Sequence, residues 1–183
     1  MRYASMRSMD ISNGEGVGVS LFVQGCRFHC FNCFNCFNSE AWDFNGGKEW
    51  TESIRNDFLK LIGRPYISRI SFLGGEPLAN ENIECVNNII QEIKKQFPNK
   101  TIWLYTGYTW EELSPNILIK GIDEESTLHN VRANIIKSCN VVIDGPYIDN
   151  LRDITLKWRG SSNQRVIDVQ KTLQNGEIVL WTD

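Results

Sequence analysis

Apolar and polar positions along the chain follow two different periods, and together they predict strands that alternate with helices. Short runs of apolar and β-branched residues are typical of buried strands. The predicted strands cover residues 17–24, 67–73, 101–105 and 141–143. Between them, apolar residues recur every three to four positions, as in amphipathic helices. The predicted helices cover residues 82–96, 110–113 and 124–138, after a first helix that begins at the N-cap Thr51 and ends near Gly63.

The two ends of the chain have a different pattern. Residues 1–15 are polar and weakly patterned, and they predict no strand or helix. In the tail, residues 154–158, 165–169 and 178–181 are strand-like, and Gln-Asn-Gly at 174–176 predicts a hairpin turn. No linker or shift in composition divides the chain, so we expect residues 1–183 to form a single domain.

Strands that alternate with helices predict an α/β fold made of parallel βαβ units. In such folds, ligands bind at the carboxyl ends of the strands. A cysteine-rich loop after the first predicted strand, and residues 74–77, 106–108 and 144–146, each follow a predicted strand. We therefore expect these four segments to line the mouth of one cavity.

Composition narrows the class of protein. The chain is 42% hydrophobic and 22% charged, with a formal net charge of −3 and no block of like charges. This pattern does not favour a general nucleic-acid surface. The sequence opens with no secretory signal, and the apolar stretch at residues 17–23 is far too short to span a bilayer. A soluble cytoplasmic protein is the default expectation.

Four of the six cysteines lie within eleven residues, at Cys26, Cys30, Cys33 and Cys36. The first three have the spacing C-x3-C-x2-C. Thiolates suit zinc, copper(I) or an iron–sulfur cluster. A structural zinc site usually takes two separated C-x2-C pairs, and without export thiols stay reduced rather than forming disulfides. The spacing favours a cluster, and three cysteine ligands would leave one iron open to a small molecule.

Several motifs in order carry a family resemblance. The C-x3-C-x2-C spacing resembles the signature of radical S-adenosylmethionine (SAM) enzymes. Its flanks at residues 20–26 and 37–44 are similar to those of the anaerobic ribonucleoside-triphosphate reductase activating proteins. So are Gly-Gly-Glu-Pro at 74–77, Asp-Gly-Pro-Tyr at 144–147 and Arg-Gly-Ser-Ser-Asn-Gln-Arg at 159–165. The resemblance extends from about residue 10 to residue 169.

The resemblance implies a fold, a reaction and partners. The fold would be a partial (βα) barrel of radical SAM type, with a mostly parallel sheet and a β-rich C-terminal tail. A [4Fe-4S] cluster would cleave SAM reductively and lead to a glycyl radical on the large subunit of the anaerobic reductase. A low-potential donor such as flavodoxin would supply the electron. The cluster ligands would be Cys26, Cys30 and Cys33, and the residues implied in SAM binding are Asn32, Cys33, Phe34, Gly74, Gly75 and Glu76.

One departure from the family pattern leaves the ligand set open. Phe-Asn-Cys at residues 31–33 is followed at once by a second Phe-Asn-Cys at 34–36. Counting forward from Cys26 selects Cys33 as the third ligand, and this register preserves both spacings. Counting back from residues 39–42 selects Cys36 as the alternative third ligand.

Two alternative functions, and the role of one surface segment, also stay open. The protein is alternatively an activase of another glycyl radical enzyme, such as pyruvate formate-lyase, or a non-catalytic zinc-binding adaptor. Residues 152–165 carry four basic side chains and one acidic side chain. This segment is either a solvated face or a docking surface for a partner, on which Asn163 and Gln164 would bind an extended backbone.

Overall fold

A seven-stranded sheet lies at the centre of the part of the chain that the structure describes. The structure is a computed structural model, and it describes residues 1–28, 39–113, 115–116, 120–121 and 123–181. The strands are β1 Arg2–Asp10, β2 Gly18–Val23, β3 Lys48–Glu49, β4 Arg69–Gly74, β5 Thr101–Tyr105, β6 Val141–Asp144 and β7 Arg165–Asp168. Their order across the sheet is β3-β1-β2-β4-β5-β6-β7.

The four central strands run parallel, and antiparallel strands flank them on both sides. β2, β4, β5 and β6 form three successive parallel pairs. β1 is antiparallel to β2 and to β3, and β7 is antiparallel to β6. The pairing of β1 with β2 shifts register between Tyr3 and Ser5 and again between Arg7 and Asp10. The α/β prediction is confirmed, and in the described residues the sheet is open, with β3 and β7 at its edges.

Five α-helices connect or follow these strands within the described residues. They are α1 Glu52–Ile62, α2 Asn80–Gln96, α3 Trp110–Leu113, α4 Glu124–Ser138 and α5 Val169–Asn175. Thr51 is the N-cap of α1, as predicted, and its hydroxyl accepts a hydrogen bond from the Ile54 N–H at 3.4 Å. No helix among the described residues is long and apolar enough to cross a membrane.

The central elements match the sequence prediction closely. The predictions for β5, α3 and α4 have the observed bounds. The predictions for β2, β4, β6 and α2 are within two residues of the observed bounds. These elements are buried on at least one side, so the apolar pattern that identifies them is strong.

The prediction was wrong at both ends of the chain. β1 was missed because few of its side chains are buried, so its sequence lacks an apolar period. Residues 154–158 form turns and bends instead of a strand, and Leu180 contributes only an isolated bridge to Ile167. Gly176 is not in a hairpin: it ends α5 in the left-handed conformation, where its N–H donates to the Thr172 carbonyl at 3.0 Å. The tail is therefore mixed, not β-rich.

Alternation along the strands gives the sheet two faces. Val19, Leu21, Ile70, Phe72 and Leu104 belong to the large core between the sheet and the helices. The residues between them point to the opposite face, which is more polar and aromatic. They include Ser20, Phe22, Arg69, Ser71, Leu73, Trp103 and Tyr105.

Candidate functional site

An open cavity of about 750 Å³ lies over the polar face of the sheet and reaches the carboxyl ends of the parallel strands. Each of the four segments predicted to converge there contributes to its lining. The described lining residues from these segments are Cys26, Phe28, Gly74, Gly75, Glu76, Thr106, Gly107, Gly145 and Pro146. The expectation of one shared mouth is confirmed for the described part of each segment.

Backbone hydrogen bonds fix Cys26 at this mouth. The Gly25 N–H donates to the Ala41 carbonyl at 2.8 Å, and the Cys26 N–H donates to the Trp42 carbonyl at 3.1 Å. On the other side, the Gly25 carbonyl accepts from the Glu76 N–H at 2.7 Å. In the sequence, the segment around Trp42 was notable only for its resemblance to the family. In the structure, its backbone supports the first cysteine of the loop.

Gly75 is required by the close approach of two loops. Its N–H donates to the Val23 carbonyl at 2.8 Å. A Cβ atom at this position would lie 2.2 Å from the carbonyl oxygen of Gly25, which is backbone and cannot rotate away. Only glycine lets residues 74–76 lie against the start of the cysteine loop.

The Glu76 carboxylate connects the turns that follow β4 and β5. Its Oε1 accepts from the Leu78 N–H at 2.9 Å and from the Thr106 hydroxyl at 2.8 Å, and its Oε2 accepts from the Gly107 N–H at 2.8 Å. The residue is only 2% exposed. Burial raises the pKa of Glu76 to about 7, against the hydrogen bonds from Gly107, Leu78 and Thr106, which lower it. Both oxygens thus have partners within the protein.

The next residues of the cysteine loop are anchored by side chains. Arg27 forms an ion pair with Glu81 of α2, and its guanidinium lies over the Phe44 ring, 5.2 Å from the centroid. The Phe28 ring meets the Tyr108 ring edge-on, with centroids 4.8 Å apart. The loop is therefore held from Gly25 to Phe28.

The remaining predicted ligands lie outside the described residues. These are Cys30, Asn32, Cys33, Phe34 and Cys36. Their roles, and the choice between Cys33 and Cys36, stay predictions.

The other two cysteines lie in or against the core. Cys85 packs against the main core, and Cys139 is fully buried in it. Both are free thiols. Burial raises the pKa of Cys139 to about 12, and its thiol donates to the Ile135 carbonyl at 3.2 Å. A thiol in this state is unreactive.

A segment that sequence reasoning placed on the surface forms part of the cavity wall. We call residues 146–164 the flap, and Leu156, Trp158, Arg159 and Gln164 of the flap line the cavity. The Trp158 ring packs edge-on against Trp103 with centroids 5.0 Å apart. Among the described non-glycine residues, Trp158 alone has a positive φ, 60°. The sequence signal that could have predicted the contact with Trp103 is Trp158 itself, a large aromatic residue within a polar stretch.

Both ends of the flap are tied to the sheet by the C-terminal motifs. The Asn163 side-chain N–H donates to the Pro146 carbonyl at 2.8 Å, and that of Gln164 donates to the Gly145 carbonyl at 3.1 Å. Arg165 pairs with Asp144, with 3.0 Å between Nε and Oδ1, and with Glu111, and these hydrogen bonds raise its pKa. The side-chain N–H groups of Asn163 and Gln164 thus bind backbone of their own chain, whereas the docking alternative assigned them to the backbone of a partner.

A buried ion pair supports the polar face of the sheet at the amino end of β4. Arg69 and Asp10 are almost fully buried, with 3.6 Å between Nη2 and Oδ1. Arg69 also donates to the backbone carbonyls of Asp10 and Glu15. Burial by itself raises the pKa of Asp10, but hydrogen bonds from Asn13 and Ser12 outweigh it and leave the pKa below its usual value. This network fixes the loop after β1, of which Ser12 and Asn13 line the cavity.

Comparison with known proteins assigns a class to this site. The profile of the 4Fe-4S single cluster domain family matches residues 12–167, which include all of the cavity-lining motifs. This class takes a single iron–sulfur cluster, in agreement with the chemistry of the cysteine loop.

Full-length relatives make the assignment more specific. The chain is 32% identical to the anaerobic ribonucleoside-triphosphate reductase-activating protein of Escherichia coli (strain K12), over 91% of this chain and 97% of the relative. It is 33% identical to the protein of that name from Enterobacteria phage T4, over 91% and 93% of the two chains, and 31% identical to that from Vibrio cholerae, over 90% and 96%. The chain belongs to the family of anaerobic ribonucleoside-triphosphate reductase-activating proteins.

Proposed function

We propose that this protein activates anaerobic ribonucleoside-triphosphate reductase by cleaving SAM reductively and thereby generating a glycyl radical on the reductase large subunit. The observation that carries the proposal is the position of Cys26 in a cavity shared with Gly74, Gly75 and Glu76. We further propose that residues 1–183 form one domain of radical SAM barrel type that acts in the cytoplasm. A low-potential donor such as flavodoxin is the proposed source of electrons.

The proposed cofactor is a [4Fe-4S] cluster held by Cys26, Cys30 and Cys33, with Cys36 as the alternative third ligand. The residues in place fit such a group, because Cys26 is half-buried in the cavity wall and its backbone is fixed from two sides. When bound, the cluster supplies the electron that splits SAM into methionine and a 5′-deoxyadenosyl radical. The protein's contribution is to hold the reactants and to exclude water.

The cavity suits a ligand of the size of SAM. Its volume of about 750 Å³ is within the range of small-molecule sites, about 300–1,000 Å³. We propose that Gly74, Gly75 and Glu76 bind the methionine end of SAM, and that Asn32, Cys33 and Phe34 contact it from the cysteine loop. The role of Glu76 includes holding the turn at Thr106 and Gly107 against this site, because its carboxylate bonds to both residues.

The experiment that tests the proposal is anaerobic reconstitution followed by SAM cleavage with a chemical reductant. We expect about four irons and four sulfides per chain. With the reductase large subunit present, electron paramagnetic resonance should show a glycyl doublet on the partner. Bound zinc in a colourless protein would support the adaptor instead, and a glycyl signal on pyruvate formate-lyase alone would replace the proposed partner.

Cysteine variants locate the ligands in the same assay. Cys30→Ala should lose the cluster and SAM cleavage. In the forward register, Cys33→Ser should lose both, whereas the matched variant Cys36→Ser should retain both. The reverse outcome would place the third ligand at Cys36.

A further inference from the structure

An apolar ridge stands on the outer side of the flap, next to the cavity mouth. Ile148, Leu151 and Ile154 are 40%, 42% and 86% exposed. They are spaced three residues apart. Ile148 is the N-cap of one turn of 3₁₀ helix at Asp149–Leu151 and Leu151 is its last residue, so these two lie on the same side of the turn. Isolated exposed apolar residues are common on protein surfaces, but three large ones within seven residues are not.

The turn that presents Ile154 is well bonded, so its exposure is a built feature of the fold. The Asp153 carboxylate accepts from the Thr155 N–H at 2.8 Å and from the Thr155 hydroxyl at 2.6 Å. These bonds lower the pKa of Asp153. The Asp153 N–H donates to the Gly160 carbonyl at 3.2 Å, and the Leu151 carbonyl accepts from the Ser162 N–H at 2.8 Å.

The ridge is continuous with the wall of the cavity. Tyr147 precedes Ile148 and Leu156 follows Ile154 along the flap, and both line the cavity. A protein that inserts one of its residues into this cavity comes close to the flap, because flap residues form part of the cavity wall. The polar side chains of Asn163, Gln164 and Arg165 are already bonded within the chain, so they do not determine the chemistry of the outer side.

We propose that the ridge of Ile148, Leu151 and Ile154 is the surface on which the reductase large subunit docks, through a complementary apolar patch of its own. This inference rests on the proposed function, because it takes the identity of the partner from there. It places the contact on apolar side chains, whereas the docking alternative for residues 152–165 rested on the basic residues of that segment. Ile154 is the residue to test first, because it is the most exposed of the three.

The test is Ile154→Asp in the anaerobically reconstituted protein. Binding to the purified large subunit should weaken about tenfold or more, because a carboxylate would be buried against apolar surface. The glycyl signal should fall with it at a fixed, sub-saturating partner concentration. Iron content and SAM cleavage without the partner should be unchanged. Ile154→Leu should retain binding within about threefold, since it keeps the apolar surface.

Met9→Asp is the matched control. Met9 is 65% exposed and lies near the end of β1 opposite the cavity mouth, so this change should leave binding unaffected. Equal weakening by Met9→Asp and Ile154→Asp would overturn the proposal, as would normal partner binding by Ile154→Asp. Loss of iron or of SAM cleavage in Ile154→Asp would also overturn it, by showing a structural role.

Failure of the proposed function gives a different result. In that case the unaltered protein itself neither binds the large subunit nor produces a glycyl signal on it, and the ridge proposal fails together with its partner. If the unaltered protein is a dimer that Ile154→Asp converts to a monomer with full activation of the reductase, the ridge is a self-association surface and the proposal is wrong.

Discussion

The helix-covered face of the sheet and the face that borders the cavity are built from alternate residues of the same strands. On the helix-covered face, β2 and β4 contribute Val19, Leu21, Ile70 and Phe72, all fully buried in one apolar core. On the cavity face, the same two strands contribute serines, Phe22, Leu73 and the ion-paired Arg69. A single stretch of sequence therefore contributes both to the apolar core and to the wall of the cavity.

The difference shows where a buried polar group is tolerated. Arg69 on the cavity face has a carboxylate and several backbone carbonyls as partners. The Tyr105 hydroxyl on this face is buried and has no hydrogen-bond partner among the described residues. Such a group lowers stability, because its hydrogen bonds to water are lost without replacement.

The largest expected effect tests the packing on the helix-covered face. Phe72→Ala should lower the free energy of unfolding by about 3–5 kcal/mol, because the ring is fully buried and packs against Phe58. Tyr105→Phe on the cavity face should change it by less than about 0.5 kcal/mol or raise it, since only an unpartnered hydroxyl is removed. Urea unfolding of the reconstituted proteins, followed by circular dichroism, measures both. Similar losses in the two variants would remove the contrast between the faces.

A smaller effect is expected where the cavity face meets the cysteine loop. Gly75→Ala should displace Gly25 from its contact and lower the free energy of unfolding by about 1–3 kcal/mol, as overpacking does, with loss of bound iron. Gly63→Ala is the control, because a Cβ there meets nothing closer than 3.5 Å and φ is −64°. Iron content after reconstitution and desalting compares the two. Full iron content in Gly75→Ala would show that the close approach is not needed for the cluster.

The smallest expected effect concerns the charge of Glu76, which lies in the turn after β4. Its folded-state pKa of about 7 lies above the ordinary value of 4.5, so the folded protein holds this proton more tightly than the unfolded chain. The resulting stability is complete below about pH 4.5 and is lost as pH rises through about 7. Between pH 6 and pH 8 the loss should be about 1.4 kcal/mol.

Glu76→Gln removes this titration, so the free energy of unfolding of the variant should vary less with pH over the same range. Urea midpoints of both proteins at pH 6, 7 and 8 make the comparison. Parallel pH profiles would show that Glu76 keeps one charge state across this range. Thr106→Val removes one of the donors to the carboxylate, and it should raise the pKa of Glu76 further and shift the profile to higher pH.

Sequence reasoning succeeded where burial imposes a period and failed where it does not. The parallel strands and their helices are buried on one or both sides, and the convergence of their carboxyl ends followed from topology alone. β1 escaped because Tyr3 and Asp10 are its only buried residues. The start of α5 was read as the end of a strand, although Asp168 caps it by accepting from the Lys171 N–H.

Within the candidate site, the predicted topology indicated which segments meet but not how their side chains point. Glu76 was expected beside a ligand, whereas its bonds to Thr106 and Gly107 depend on a turn distant in sequence. The basic segment at residues 152–165 had the same difficulty. Arg165 is neutralised by Asp144 and Glu111, which no local pattern connects with it.

The irregular pairing of β1 has a consequence for how the chain behaves at high concentration. β3 covers only Arg2 and Tyr3 of β1, so among the described residues the outer edge of the rest of β1 has no neighbouring strand. An open, regular edge would invite a strand from another chain and lead to aggregation. Here the two register shifts twist that edge, and the residues of β3 are a lysine and a glutamate. Both features disfavour the addition of a strand from another chain. The edge of the sheet is therefore exposed without promoting aggregation.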